Sequence, residues 1–130
     1  MTTINPQGWP RPRGYANGVL ASGTYLAIAG QIGWNERGEF AGSDFLSQAR
    51  QALHNVAAVL EAAGGRPQHV VRLTWYVTDK RAYLACAREL GAAYKALFGE
   101  HYPAMTLVEV SALLEDAALV EIEATAVISS

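Results

Sequence analysis

The chain has 130 residues, a length that supports one compact domain with a real core rather than two domains. Hydrophobic residues make up 51% and charged residues 17%, which excludes the weakly hydrophobic, highly charged class that stays disordered. The net charge of -2 comes without any basic block, so nucleic acid is a poor default partner. The only cysteine, Cys86, has no disulfide partner and no zinc-ligand spacing around it, which indicates a reducing compartment.

Neither a secretory signal nor a membrane-spanning stretch is predicted. Residues 1–13 carry three of the five prolines and no apolar run long enough for a signal peptide. The most apolar stretch, residues 117–128, is interrupted by Glu121 and Glu123 and is too short to span a bilayer. We therefore expect a single domain over residues 1–130, located in the cytoplasm and without a membrane partner.

Apolar periodicity and turn residues divide the chain into five strand-like and two helix-like runs. In chain order these are strands at 19–22 and 25–31, a helix at 43–64, a strand at 70–78, a helix at 79–99, and strands at 105–113 and 119–128. Gly23 and Thr24 separate the first two strands and are compatible with a two-residue hairpin turn. The order ββαβαββ predicts an α+β domain with one mixed sheet and two helices on one of its faces.

Both helices carry recognisable ends. Ser43 or Asp44 can cap the first helix, and Gly64 can end it in a left-handed conformation. Asp79 and Gly99 are expected to do the same for the second helix.

Alternation along the strands predicts which side chains face away from the helices. The helix-facing set of the third strand is Val71, Leu73, Trp75 and Val77. The outward set of the last strand is Glu121, Glu123 and Thr125. By the same alternation Val108 and Val110 point inward, while the outward set of the fourth strand is Met105, Leu107 and Glu109. Met105, Glu109 and Glu121 are therefore expected to share one surface.

That outward surface mixes apolar and charged residues. Its apolar members are Tyr25, Ala27, Ala29, Tyr76, Met105 and Leu107. They are too apolar for bare solvent, whereas Arg72 and the glutamates are too polar for a dry core. An interface with copies of the same chain satisfies both sets and leaves clefts where the copies meet. The alternative is a monomer with one solvated sheet face.

Glu121 is the strongest candidate for chemistry. A carboxylate that becomes partly desolvated in an interface can hold or exchange a proton near neutrality. An ion pair with Arg72 is the alternative for Glu121. His54 and His69 lack metal-ligand spacing and are expected to be exposed or structural. His101 precedes a strand and can reach a cleft, and a plain loop histidine is the alternative. No serine-hydrolase motif and no phosphate-cradling glycine pattern is present, so no cofactor is expected. Because no histidine or cysteine has metal-ligand spacing, no metal is expected either.

Several blocks of the sequence together resemble the RidA/YjgF family. They are Gly14-Tyr15-Ala16-Asn17-Gly18-Val19, Ala29-Gly30-Gln31-Ile32, residues 48–55, Tyr102-Pro103-Ala104-Met105-Thr106-Leu107-Val108-Glu109-Val110, and Val120-Glu121-Ile122-Glu123-Ala124. The resemblance covers nearly the whole chain, residues 14–127, and the last two blocks are its most specific parts. It implies a cytosolic homotrimer with a chorismate-mutase-like fold and three clefts between subunits.

The family resemblance also implies roles for individual residues. Its best-known members hydrolyse reactive enamines and imines to keto acids and ammonia. By this resemblance, Glu121 transfers the proton and activates the water, and Tyr15 lines the cleft. The residues expected to contact substrate are Met105, Leu107, Ala29, Gly30, Gln31, Trp34, Arg13 and His101. The family's carboxylate-gripping arginine is absent, because the Pro-Ala-Arg block reads Pro-Ala-Met here.

The missing arginine leaves two main interpretations. In the first, the protein is a deaminase for an imine or enamine that is larger or less charged than 2-aminoacrylate, with Arg13, His101 or Arg72 supplying any cation needed. In the second, the clefts bind a small hydrophobic or carbonyl ligand without turnover. An endoribonuclease activity is the weakest alternative, because the pI is about 5.9 and no phosphate cradle is visible.

Overall fold

A computed structural model describes residues 1–129 of the chain. Six strands and three helices are formed: β1 (Thr2–Ile4), β2 (Gly18–Leu20), β3 (Thr24–Ile32), α1 (Phe45–Ala62), β4 (Val70–Val77), α2 (Lys80–Ala85), α3 (Ala87–Phe98), β5 (Ala104–Glu109) and β6 (Val120–Ile128). A short 3₁₀ turn, Pro67–His69, leads into β4. The predicted mixed α+β fold is confirmed. None of the helices in this described part is long and apolar enough to cross a bilayer.

The main sheet has four strands in the order β3-β6-β4-β5. Strands β4 and β5 run parallel, whereas β6 is antiparallel to both β3 and β4. Helix α1 packs on β3 and β6 and against α3, so the helices cover one face of the sheet. The opposite face carries no helix. β3 and β5 form the two edges of the sheet. Residues near β3 and residues near β5 therefore lie at opposite edges of one chain.

The predicted hairpin between the first two strands is wrong. Strand β2 pairs with β1 in a separate two-stranded sheet, and β3 pairs with β6 instead. Gly23 is required by a close contact with the backbone of β6 and not by a hairpin turn. Its φ is +150°, and a Cβ there would lie 2.3 Å from the carbonyl oxygen of Ile128. The glycine therefore lets the chain enter β3 against the end of β6.

The predicted ends of the helices are confirmed, but the second helix is divided. The Asp44 carboxylate accepts a hydrogen bond from the Ser47 amide, and Asp79 does the same for Arg81. Gly99 has a φ of 67° and ends α3. Between them Cys86 leaves helical geometry with φ and ψ of -120° and 25°, which separates α2 from α3.

The predicted sides of β4 and β6 hold with one exception. The inward residues of β6 are buried as expected: Val120, Ile122, Ala124 and Ala126. In β4 the pairing with β6 shifts between Val70 and Arg72. This bulge places Val70 in the core, where Val71 was predicted, and leaves Leu73, Trp75 and Val77 facing the helices as expected.

The predicted sides of β5 are reversed. Met105 pairs with Leu73 and Leu107 pairs with Trp75 in the parallel ladder. Directly paired residues of neighbouring strands share a face, so Met105 and Leu107 pack towards the helices, and Val108 is 40% exposed on the other side. Glu109 is also on the helix side, where its carboxylate accepts a hydrogen bond from the Lys80 amide at 3.0 Å. Met105 and Glu109 therefore do not share a surface with Glu121.

Gln48 ties α1 to two segments that meet at one end of the sheet, the chain after β3 and the chain before β6. Its side chain is 1% exposed, donates to the carbonyl oxygens of Gly42 and Ala117 at 3.0 Å, and accepts from the Leu119 amide at 2.8 Å. Gly33 lets β3 approach this residue, because a Cβ there would lie 2.5 Å from the Gln48 Cα. The close contact holds the chain after β3 and the chain before β6 in a fixed relation.

Replacing Gln48 by leucine should lower the free energy of unfolding by about 1–3 kcal/mol, because a buried amide loses its acceptor. The measurement is urea denaturation at one protein concentration. Gln68→Leu, at an exposed position, serves as the control and should change stability by less than about 0.5 kcal/mol. Equal effects of the two substitutions would contradict a structural role for the Gln48 network.

Candidate functional site

Glu121 lies on the helix-free face of the sheet. It is half-buried in β6, where its register partners are Ile32 on β3 and Tyr76 on β4. The pairing of β3 with β6 shifts between Ile28 and Gln31, so the backbone bulges beside this glutamate. A Cβ at Gly30 would lie 1.9 Å from the Glu121 Oε2 atom. The carboxylate therefore lies directly over the backbone of Gly30, a place that only glycine leaves open.

Tyr76 stands between two carboxylates on this face. Its hydroxyl donates to the Glu123 Oε1 atom at 2.5 Å. That hydrogen bond, together with desolvation and the negative charges of Glu123 and Glu121, raises the pKa of Tyr76 above its ordinary value of 10.0. The phenol stays protonated at neutral pH and is held by Glu123 rather than Glu121. We call Gly30, Tyr76, Glu121 and Glu123 the carboxylate face.

The alternative ion pair between Arg72 and Glu121 is not formed. In residues 1–129 the ion pairs join Arg37 to Glu39 and Lys95 to Glu100. Arg72 pairs in register with Thr125, farther along β6. Among residues 1–129, the Glu121 carboxylate thus has no ion-pair partner.

The bulge beside Glu121 is held from two sides. The Gln31 side chain donates to the carbonyl oxygen of Ala29 at 3.0 Å. Asn55 of α1 donates to the carbonyl oxygens of Ile32 and Trp34, at 3.1 Å and 2.8 Å. The Trp34 ring packs on Phe40, with ring centroids 5.8 Å apart. Gly30 therefore lies directly beside Glu121. Gln31 instead pairs in register with the buried Ile122 and lines, with Trp34 and Asn55, a separate cavity of about 250 Å³ against α1. Asn55 was not predicted from the sequence.

Met105 and Leu107 lie on the opposite side of the sheet from Glu121. Strand β4 also separates β5 from β6, so the predicted common surface is wrong. Met105 lines a cavity of about 230 Å³ between β5 and α3. Its lining also includes Trp75, Tyr83, Gly91, Tyr94 and Tyr102. We call these six residues the aromatic pocket.

Tyr15 and His101 meet in a neighbouring cavity of about 280 Å³, which Arg11 and Tyr102 also line. The Ala16 amide donates to the carbonyl oxygen of Pro103 at 3.0 Å and holds the N-terminal loop there. His101 Nε2 donates to the carbonyl oxygen of Val70 at 2.6 Å, which leaves its Nδ1 as the remaining acceptor.

Tyr102 lines both this N-terminal cavity and the aromatic pocket, so the two are adjacent. Arg13 is exposed in the same loop, and Arg11 is the cation that the sequence analysis missed.

The candidate residues thus form two groups on one chain. The carboxylate face lies on the helix-free side near β3, and the aromatic pocket with the N-terminal cavity lies at the β5 edge. His54 is exposed on α1, and His69 accepts from the Arg66 amide at 2.9 Å, so both are outside these groups. Within residues 1–129, no three His, Cys, Asp or Glu side chains are grouped so that they could hold a metal ion.

Comparisons with known proteins agree with this fold. The family model described as endoribonuclease L-PSP matches residues 10–128. A RutC family protein of Pyrococcus horikoshii is 39% identical over 118 residues, covering 90% of each chain. The 2-iminobutanoate/2-iminopropanoate deaminase of Escherichia coli K12 is 37% identical over 129 residues, covering 96% of each chain. A Rid-family protein of Yersinia pestis, described as of unknown function, superposes with a TM-score of 0.83 at 38% identity over 98% of each chain.

The fold and these matches define an α+β protein of the Rid type. The chain belongs to the RidA/YjgF family.

Glu123→Gln should lower the pKa of Tyr76 towards 10, because the substitution removes the charged acceptor that favours the protonated phenol. The measurement is NMR titration of ring-labelled tyrosine, with Tyr76→Phe to assign the signal. Because the pKa of Tyr76 is raised in the folded state, its hydrogen bond to Glu123 stabilises the fold below pH 10. That stabilisation is lost as the pH rises through the folded-state pKa of Tyr76. An unchanged Tyr76 titration in Glu123→Gln would contradict the assigned hydrogen bond.

Proposed function

We propose that this protein hydrolyses a reactive imine or enamine to a carbonyl compound and ammonia, in clefts between copies of the chain. The observation that carries the proposal is the cation-free Glu121 carboxylate held over Gly30 on a partly apolar sheet face. The relative named 2-iminobutanoate/2-iminopropanoate deaminase, at 37% identity over 96% of each chain, supports this reaction class.

The reaction needs one group that both accepts and returns a proton. An enamine first becomes an imine by taking a proton on carbon and losing one from its nitrogen. Glu121 accepts a proton from water as the water oxygen bonds to the imine carbon, and then returns it to the nitrogen. These steps give a carbinolamine, whose hydroxyl proton passes through Glu121 to the nitrogen as the carbon–nitrogen bond breaks. The sum is imine plus water giving carbonyl plus ammonia. A half-buried carboxylate without an ion pair suits both directions of this transfer.

The distribution of the site residues supports an assembly of copies. Glu121 lies near the β3 edge of the sheet, whereas Tyr15, Met105 and His101 lie at the β5 edge. A head-to-tail contact between two copies places unlike edges together, and it closes into a ring where the rotation from copy to copy returns to the first copy. The helix-free face also carries Tyr25, which is 67% exposed. Burying this large side chain between copies of the chain is favourable. We propose a homotrimer, the ring that the family resemblance implies.

The proposed substrate differs from the smallest imino acids. A methionine at position 105 cannot form the charge-assisted pair that a guanidinium makes with a carboxylate, a loss of about 1.5–3 kcal/mol in binding. Ala29 and Leu107 add two further apolar side chains to the residues expected to contact the substrate. The substrate is therefore larger or less charged than 2-aminoacrylate, and Arg11 is available in the N-terminal cavity for a distant anionic group.

Binding without turnover is the second candidate, and the observation that favours it is the same methionine. A cleft without the guanidinium retains apolar contacts that hold a carbonyl compound. An RNA-cleaving activity, which the family model's description mentions, has less support, because the net charge of -2 offers little attraction for phosphates.

Glu121→Gln should reduce the rate of ammonia release from imine substrates by at least about 100-fold, because the amide cannot accept the proton from water. The measurement is initial rates with imines generated in situ by an amino-acid oxidase. Glu115→Gln, in an exposed loop, is the matched control and should keep the wild-type rate. If the wild type accelerates no imine but an apolar carbonyl ligand raises its melting temperature, the binding candidate is correct.

In sedimentation equilibrium the wild type should behave as a particle of three times the 13.9 kDa chain mass. Ala27→Arg should shift it towards the single-chain mass, because Ala27 lies on the helix-free face and an unpaired charge there is costly to bury. Ala62→Arg, exposed at the end of α1, is the control and should leave the assembly intact. A stable wild-type monomer would contradict the proposed shared site.

A further inference from the structure

The aromatic pocket is an open cavity without a charged wall. It has a volume of about 230 Å³, and none of the residues that line it carries a charge. An apolar cavity of about 150 Å³ is large enough to bind benzene. No charged side chain in the lining compensates the desolvation of a carboxylate, whereas the lining is more apolar than polar and suits an uncharged ring.

Two pairs of aromatic rings form the walls of this pocket. Tyr94 and Tyr102 are stacked, with centroids 5.7 Å apart, and Tyr83 meets Trp75 edge to face, also at 5.7 Å. The Tyr94 hydroxyl is already used, because it donates to the carbonyl oxygen of His101. Burial raises the pKa of Tyr94 and of Tyr83, so both phenols stay neutral. The walls therefore offer ring faces and edges, which favour an aromatic occupant.

Gly91 leaves one side of this pocket open. It lies inside α3, where a glycine costs roughly 0.5–1 kcal/mol relative to alanine. No close packing requires it, since a Cβ at this position would have no atom within 4 Å. Its backbone is not in the left-handed region either. The unfavourable residue therefore has one visible effect, which is to keep the space beside Tyr94 and Met105 free.

We propose that the aromatic pocket receives the ring of the substrate, so that the protein acts on imines or enamines that carry an aromatic side chain. This inference rests on the proposed function for the reaction and adds the substrate class. Met105 then contacts the ring through a polarisable thioether, a favourable sulfur–aromatic contact, in the place where a guanidinium would bind a carboxylate. The ring is held at the β5 edge while its imine carbon extends towards Glu121 of a neighbouring copy.

The catalytic test compares imines generated in situ from phenylalanine and from alanine by an amino-acid oxidase. The phenylalanine-derived imine should have a kcat/KM about tenfold or more above that of the alanine-derived imine, as expected for filling a hydrophobic pocket. Gly91→Leu should fill the cavity and lower the ratio of kcat/KM for the aromatic imine to kcat/KM for the small one about tenfold. Ala92→Leu, exposed on the next position of α3, is the control and should change neither.

A second variant, Met105→Arg, tests the same pocket without depending on α3. It should lower kcat/KM for the aromatic imine and raise it for the small one, because it places a guanidinium where the ring would lie. Gly91→Ala provides a check on folding. It should raise the melting temperature through helix propensity while lowering kcat/KM for the aromatic imine, and a merely destabilised protein cannot give that combination.

Equilibrium binding separates failure of the inference from failure of the proposed function. Phenylpyruvate should bind the wild type at least tenfold more tightly than pyruvate, and Gly91→Leu should abolish the difference. If no imine is hydrolysed but this pattern of binding holds, the pocket stands and the proposed hydrolysis fails. If imines are hydrolysed without preference for the aromatic one, or Gly91→Leu slows both equally, the assignment of the pocket is overturned.

Discussion

The position of the Glu121 carboxylate over Gly30 is the contact on which the functional geometry depends. It requires three features of the fold together: a central β6 strand, a bulge in β3, and a residue without a side chain at the bulge. Any Cβ at position 30 would occupy the place of the carboxylate oxygen. Asn55 and Gln31 fix the bulge through backbone carbonyls, so the glutamate is placed by the packing of α1 on the sheet rather than by its own neighbours in β6.

The sheet order explains why the candidate residues do not meet within one chain. Strands β3 and β5 are opposite edges, and the residues near them point to opposite faces. A two-fold dimer would need one self-complementary patch that spans the whole sheet to join these groups twice. Head-to-tail contact needs only one edge from each copy. The proposed ring is thus the simpler arrangement for a site that uses both groups, and covering the helix-free face stabilises it.

Local pattern was sufficient for much of the fold. The capping residues Asp44, Asp79 and Gly99 mark real helix ends, and the alternation in β6 places its buried residues correctly. Strand β5 was misread because it has apolar residues at both alternating sets, so alternation alone does not say which set faces the core. Its side is decided by the register with β4, a contact between distant segments that no local pattern reports.

Site residues show the same division between local and long-range information. The motif that contains Gly30 and the one that contains Glu121 were both recognised, but their contact spans most of the chain, and no spacing rule predicts it. The role of Gly91 was invisible for the opposite reason. A glycine inside a helix reads as a weak point of the pattern, and only the empty space around its missing side chain shows that it borders a cavity.

Met105 and Gly91 are best understood as one change in the chemistry of the same pocket. A guanidinium at position 105 would place a charge in a pocket whose lining residues carry none. With methionine there, the pocket has no charge to satisfy, and its empty volume becomes suited to a hydrocarbon ring. The glycine then extends that volume at a cost in helix stability. Both residues therefore favour an aromatic occupant. Met105 does so because it carries no charge, and Gly91 does so because it leaves volume for the ring.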